Sequence, residues 1–257
     1  MDVIGLALAT FVLVTPVSAV NVASCGMTLG AGQTGRLTTD LDCRARSTWP
    51  FSALGVRLAP GATLEMNGHA IRGDGTGVGI ECHGGRGRGA CRVHGPGEVS
   101  GFWAGMNGGG CHIVVRGVVV RANTYGVMGP LACRVDATNV NVVDNLADGV
   151  RVWRLRADHL AAMGNGGSGV VAGRLAARAL LAAHNDGHGV AQLTTRGRLG
   201  RIVDSTVIEN GAADIAATRV RLRRVRCGRS EQLRWPPVVD SGDDVPTVVG
   251  SFGCVHD

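Results

Sequence analysis

Asn145-Leu-Ala-Asp-Gly149-Val150, Asn165-Gly-Gly-Ser-Gly169-Val170 and Asn185-Asp-Gly-His-Gly189-Val190 are three copies of one phrase, set 20 residues apart. A shortened copy, Asn123-Thr-Tyr-Gly126-Val127, precedes them by 22 residues, and a degraded one, Asn210-Gly-Ala-Ala-Asp214-Ile215, follows by 25. A period of this length marks stacked coils, each a few short strands and their turns. Asn tolerates the left-handed backbone that a tight corner demands, and Asn side chains stacked in register can hydrogen-bond along a ladder. The Gly lets the chain re-enter a strand, and the Val or Ile after it faces the core. Between the phrases, runs such as Val140-Asn-Val-Val143 and Val150-Arg-Val-Trp153 suit a strand with one buried face.

Two rival readings fail. Residues 155–184 are rich in Ala, Leu and Arg and favour helix by propensity, but Gly164, Gly166, Gly167, Gly169 and Gly173 break them up. Leucine-rich repeats share the period, yet their L-x-x-L-x-L pattern is missing. The expected fold is therefore all-β: a single-stranded right-handed parallel β-helix, a solenoid with disulfide-stapled ends. Composition agrees, since 41 Gly and only 4% aromatic residues among 257 suit thin strands with tight corners better than an aromatic core.

Residues 1–19 read as a signal peptide, with an apolar run at 3–14, Pro16, and the small-residue site Val17-Ser18-Ala19. The run is too short for a membrane span. Asp2 and the missing basic residue depart from the usual leader, and Val22-Ala23-Ser24-Cys25 offers a lipoprotein box as the lesser alternative. The expected location is secreted or periplasmic. There, eight Cys imply four disulfides, and sequential pairing gives Cys25–Cys43, Cys82–Cys91, Cys111–Cys133 and Cys227–Cys254. No C-x-x-C spacing points to a metal, so no metal site is expected.

All 26 basic residues are Arg, which excludes Lys-dependent chemistry, and the net charge of +6 favours an acidic partner. Nucleic acid is not expected, because recognition helices and interleaved aromatics are missing.

In the N-terminal half, Cys25-Gly-Met-Thr-Leu29, Asp40-Leu-Asp-Cys43, Ala62-Thr-Leu-Glu-Met-Asn67-Gly68-His69-Ala-Ile71 and Val93-His-Gly95-Pro96-Gly97-Glu-Val99-Ser-Gly101-Phe102 extend the pattern. These phrases resemble secreted bacterial right-handed β-helix proteins of the pectin lyase-like superfamily. The resemblance covers residues 25–227 and implies the fold. It implies no single activity, because that superfamily holds lyases, hydrolases, epimerases and adhesins. Residues 25–54 are expected to cap the stack and 228–257 to close it.

Register sets candidate sites. One column holds Asp144, Gly164, His184 and Glu209; another holds Asp148, Ser168, His188 and Ala213, with Asp186 between the two histidines. Carboxylates beside His make Asp144, Asp148, His184, Asp186, His188 and Glu209 candidates for acid–base catalysis of a lyase or hydrolase. Family motifs do not support this reading. Gly187-His188-Gly189 is similar to one polygalacturonase element, but the other elements are missing and Asp243-Asp244 lies in the tail. The clustered calcium-binding Asp of pectate lyases and the Asp-Pro-His of alginate epimerases have no match either. No cofactor is expected, with calcium the one left open. A second, basic column, Arg154, Arg174 and Arg219 beside Trp153, is the candidate ligand face for an acidic polysaccharide; Arg156, Arg178, Arg196, Arg198, Arg201 and 221–226 add to it. A structural or adhesive envelope role is the further alternative, and a monomer is expected.

Overall fold

The computed structural model describes residues 19–44, 53–83, 89–109, 112–130, 133–193, 199–234 and 247–254. All but the last residue of the expected signal peptide lies outside the described residues, as do Cys111, Trp49, Trp235, Arg196, Arg198 and Asp243-Asp244. Within them, 21 strands form one continuous sheet system, and every pairing is parallel except the last. The protein is a right-handed parallel β-helix.

Each coil contributes to three faces. The first face stacks residues 125–128, 150–152, 170–172 and 190–192 and continues to Ser230–Arg234. The second stacks 134–138, 154–158, 174–178, 200–203 and 220–223, and the third stacks 140–143, 160–163, 180–183, 205–208 and 225–227. Second and third faces belong to single long strands, Arg134–Val143, Val150–Met163 and Val170–Ala183, bent in the middle. The bend is one residue with left-handed backbone: Asn139, His159, Ala179, Asp204 and Arg224 form its column, at φ of 50–56°.

The Asn phrase works as a ladder, but its geometry differs from the expected one. The left-handed residue is the one before the Asn, in the column Ala122, Asp144, Gly164, His184 and Glu209. That frees the Asn to point inward, where Asn123, Asn145, Asn165 and Asn185 are each 1% exposed. Asn145 Nδ2 donates to Asn165 Oδ1 at 2.9 Å, Asn165 Nδ2 to Asn185 Oδ1 at 2.8 Å, and Asn185 Nδ2 to Asn210 Oδ1 at 2.8 Å. Asp214 closes the series by accepting from Asn210 Nδ2 at 2.7 Å and, through its other oxygen, from the Gly228 N–H at 2.7 Å. The phrase glycines are needed for close approach. A Cβ on Gly126, Gly149 or Gly189 would come within 2.3–2.7 Å of a carbonyl oxygen of the next coil. The Val after each, in the column Val127, Val150, Val170, Val190 and Ile215, is at most 2% exposed and builds the core.

The ends differ from the capping segments expected. Val20–Val22 and Met27–Leu29 already pair in parallel with Thr34–Leu37 and Leu54–Leu58, because Leu29, Leu37 and Leu41 supply inward side chains as in any coil. At the other end Ser230–Arg234 extends the first face, and Thr247–Gly250 adds antiparallel to it. Disulfides join Cys25–Cys43, Cys82–Cys91 and Cys227–Cys254, as expected from sequential pairing. The fourth expected pair involves Cys111, outside the described residues; its partner Cys133 is buried. Among the described residues no helix is long and apolar enough to cross a membrane.

Candidate functional site

The second face carries an open groove of about 1030 Å³. Its shape follows from stacking. Arg156, Ala176, Arg201 and Arg221 occupy successive rungs of one outward column, and Asp158, Arg178, Val203 and Arg223 those of the next. Rungs are about 4.8 Å apart. Ala176 and Val203 are the small members, so the sheet is low where they stand and high where arginines flank them.

Six arginines (156, 178, 201, 221, 223 and 224) line the groove against three aspartates (136, 158 and 204), leaving it cationic. The acids are partly engaged at its margins. Arg224 grips Asp204 through Nε and Nη2, the latter at 2.9 Å, and Arg178 stands 3.9 Å away. The Arg224 hydrogen bond, with the nearby Arg178 and Arg223 charges, holds the Asp204 carboxyl below its usual range. Asp136 accepts from Arg134 at 2.8 and 3.0 Å and lies 2.8 Å from His112 Nε2. Burial pushes the Asp136 carboxyl up, and these two partners outweigh it, so the net direction is down. Asp158 differs. Its side chain is half exposed, but Oδ1 is shielded from solvent and makes no hydrogen bond, with His159 Nδ1 3.2 Å away. Among the described residues, no acid lies within ion-pair distance of Arg156, Arg201, Arg221 or Arg223.

The expected ligand face overlaps this groove only in part. Arg154 and Arg174 are exposed neighbours on adjacent rungs and line a cleft of about 260 Å³ that shares Arg156 and Ala176 with the groove. Arg219 does not join them. The Arg174 rung is followed by Leu199, fully buried, and only then by Arg219, whose carbonyl accepts from the Leu199 N–H at 2.8 Å. Trp153 is half-buried at the corner between first and second faces, with its ring over Gly173, where a Cβ would come within 2.4 Å. Trp103 is 40% exposed and stacks edge-on against Tyr125 with centroids 5.6 Å apart.

The expected catalytic residues fall into two sets that no hydrogen bond or ion pair joins among the described residues. In the left-handed corner column, Asp144 is exposed, and His184 Nδ1 lies 3.2 Å from Glu209 Oε2 with both side chains about two-thirds exposed. The other set is a second ladder. Asp148 Oδ1 accepts the Ser168 N–H at 2.8 Å, Ser168 Oγ the His188 N–H at 3.2 Å, and His188 Nδ1 the Ala213 N–H at 3.1 Å. Asp148 Oδ2 is bound by Arg151 at 2.7 Å. Asp186 is exposed between the sets. Among the described residues, no three His, Cys, Asp or Glu side chains converge.

No family model matches the sequence, and no curated protein matches it either. Among solved structures the chain is similar to the periplasmic alginate epimerase AlgG, at 13% identity and a TM-score of 0.48 over 77% of this chain and 61% of that one. It is also similar to the A-module of Azotobacter vinelandii mannuronan C-5 epimerase AlgE4, at 17% identity and a TM-score of 0.46 over 79% and 68%. The chain thus spans about three fifths of the AlgG structure. At these identities and TM-scores the likeness assigns no activity, and the parallel β-helix rests on the chain's own strand pairing.

Proposed function

We propose that this protein is an exported β-helix that binds an acidic polysaccharide, a polymer of carboxylated sugars, along its second face. One observation carries the reading: Arg156, Arg201, Arg221 and Arg223 line an open groove, and among the described residues no acid lies within ion-pair distance of them. Like charges held a few ångströms apart on a rigid scaffold repel, and a polyanion relieves that repulsion while accepting forked hydrogen bonds from each guanidinium. Three disulfides support an oxidising compartment outside the cytoplasm.

The test is titration of the disulfide-intact protein with polygalacturonate and alginate, with dextran and duplex DNA as comparators. Carboxylated polymers bind, more weakly as salt rises, and dextran does not. Equal or tighter binding of DNA would overturn the polysaccharide reading, and no binding of any polyanion at low salt would overturn the cationic-groove reading. Shortened chains or unsaturated products would instead establish a lyase or hydrolase, with Asp144, Asp148, His184, Asp186, His188 and Glu209 the first residues to replace.

A further inference from the structure

We infer that the hollow over Ala176 is the subsite that seats one carboxylated sugar of the bound chain; this rests on the binding function proposed above. Ala176 interrupts an arginine column, with Arg156 on the rung before it and Arg201 on the rung after. Those arginines start about 10 Å apart, two rungs, so their long side chains can lean over the Ala176 methyl from opposite sides. Arg178, two residues along the same strand, borders the same hollow. A carboxylate placed there meets guanidinium groups on three sides, and the sugar ring lies over the Ala176 floor, where nothing larger than a methyl group rises.

Asp158 supplies the complement. It stands directly beside Arg178 on the preceding rung and lines the same groove. Its side chain is half exposed, with Oδ1 shielded and 3.2 Å from His159 Nδ1. The exposed part of the carboxylate can accept from a sugar hydroxyl, whereas its charge repels a simple inorganic anion. The pairing of an arginine clamp with an acceptor carboxylate selects a ligand bearing both carboxylate and hydroxyl groups, as a uronate does.

The probe is tetragalacturonate measured by calorimetry on the full chain. Ala176→Leu fills the hollow and leaves every charge in place; it lowers affinity about tenfold or more. Ala176→Glu places a competing carboxylate between the arginines and abolishes binding, whereas Ala176→Ser retains it. Asp158→Asn weakens tetragalacturonate more than it weakens citrate, which carries carboxylates without a sugar's ring of hydroxyls. Each variant is compared only after its thermal midpoint matches wild type, and Ala176→Ser with Asp158→Asn keeps the test open if the larger substitutions misfold. Wild-type affinity in Ala176→Leu, with loss on Arg201→Ala, would overturn this subsite and leave the cationic face standing. Wild-type protein that binds no uronate at all would overturn both.

Discussion

Replacing Asn165 with Ala removes a middle rung of the ladder, and the cost can be worked from the bonds that side chain makes. Its Oδ1 accepts from the Asn145 N–H at 3.2 Å and Asn145 Nδ2 at 2.9 Å, and its Nδ2 donates to Val142 O at 3.2 Å and Asn185 Oδ1 at 2.8 Å. Several partners keep other bonds. Asn145 Nδ2 still reaches Val120 O and Val143 O, and Asn185 Oδ1 still accepts the Asn165 N–H. The Asn145 N–H does not: it is left buried without an acceptor, a loss of about 1–3 kcal/mol, and the three weakened bonds add about 1 kcal/mol each at most. The expected destabilisation is therefore about 1–6 kcal/mol, and the middle of that range is roughly 10 °C in thermal midpoint for a chain of this size. Urea denaturation followed by circular dichroism measures it, with Leu146→Ala as the control, since Leu146 is 76% exposed and its loss is worth under about 0.5 kcal/mol. The double variant Asn145→Ala/Asn165→Ala costs less than the sum of the two, because the bond from Asn145 Nδ2 to Asn165 Oδ1 is lost in either single variant. A loss below about 1 kcal/mol for Asn165→Ala would refute the view that the ladder holds the coils in register.

Three further outcomes follow from the same geometry. His188→Ala strips the acceptor from the buried Ala213 N–H and lowers stability by about 1–2 kcal/mol, while His188→Asn, which keeps an acceptor, restores part of it; equal stability of both variants to wild type would show that the second ladder contributes nothing. Gly149→Ala drives a Cβ to 2.7 Å from Gly169 O and 2.8 Å from Asn165 Nδ2, so a loss of about 3 kcal/mol or failure to accumulate folded protein is expected, and a wild-type melting curve would contradict the close approach. Asp40, Glu98, Asp136 and Asp204 all have carboxyls held below their usual values in the folded chain. The unfolded chain therefore takes up protons first on acidification, so their contribution is fully present above about pH 5 and is lost as pH falls through the lowered values. Denaturation midpoints that rise on acidification across that window would have the wrong sign.

The fold was legible because its signal is local and periodic. Asn, Gly and Val recur at fixed offsets, and each type does something only a stacked coil requires: it bonds to its copy, lets a neighbouring carbonyl approach, or fills the core. The particular jobs were less legible. The corner residue before the Asn varies among Ala, Asp, Gly, His and Glu, so nothing in its chemistry announces left-handed backbone. Asp148 and His188, in one column with Ser168, read as candidate chemistry because they are polar and in register. What they share is a side-chain acceptor that caps the next coil's N–H, a role that any of the three residue types can fill.

The groove was harder to see because it depends on what is small. Counting from the strand-opening Val selected Arg154, Arg174 and Arg219, and that count fails past Gln192, where a longer connection brings Leu199 onto the rung after Arg174. Register beyond such an insertion is set by burial: Leu199, Ile202 and Val207 must face inward, and that requirement fixes Arg201 beside Ala176 and Arg221 beyond it. Once the rungs are aligned, the informative residue in the column is the one without charge. Four consecutive arginines would make a flat, self-repelling ridge, and Ala176 in the second place turns that ridge into a clamp with a floor. A β-helix tolerates this substitution easily, because an outward position contributes little to the core. Function on such a scaffold can therefore be placed by removing a side chain as well as by adding one.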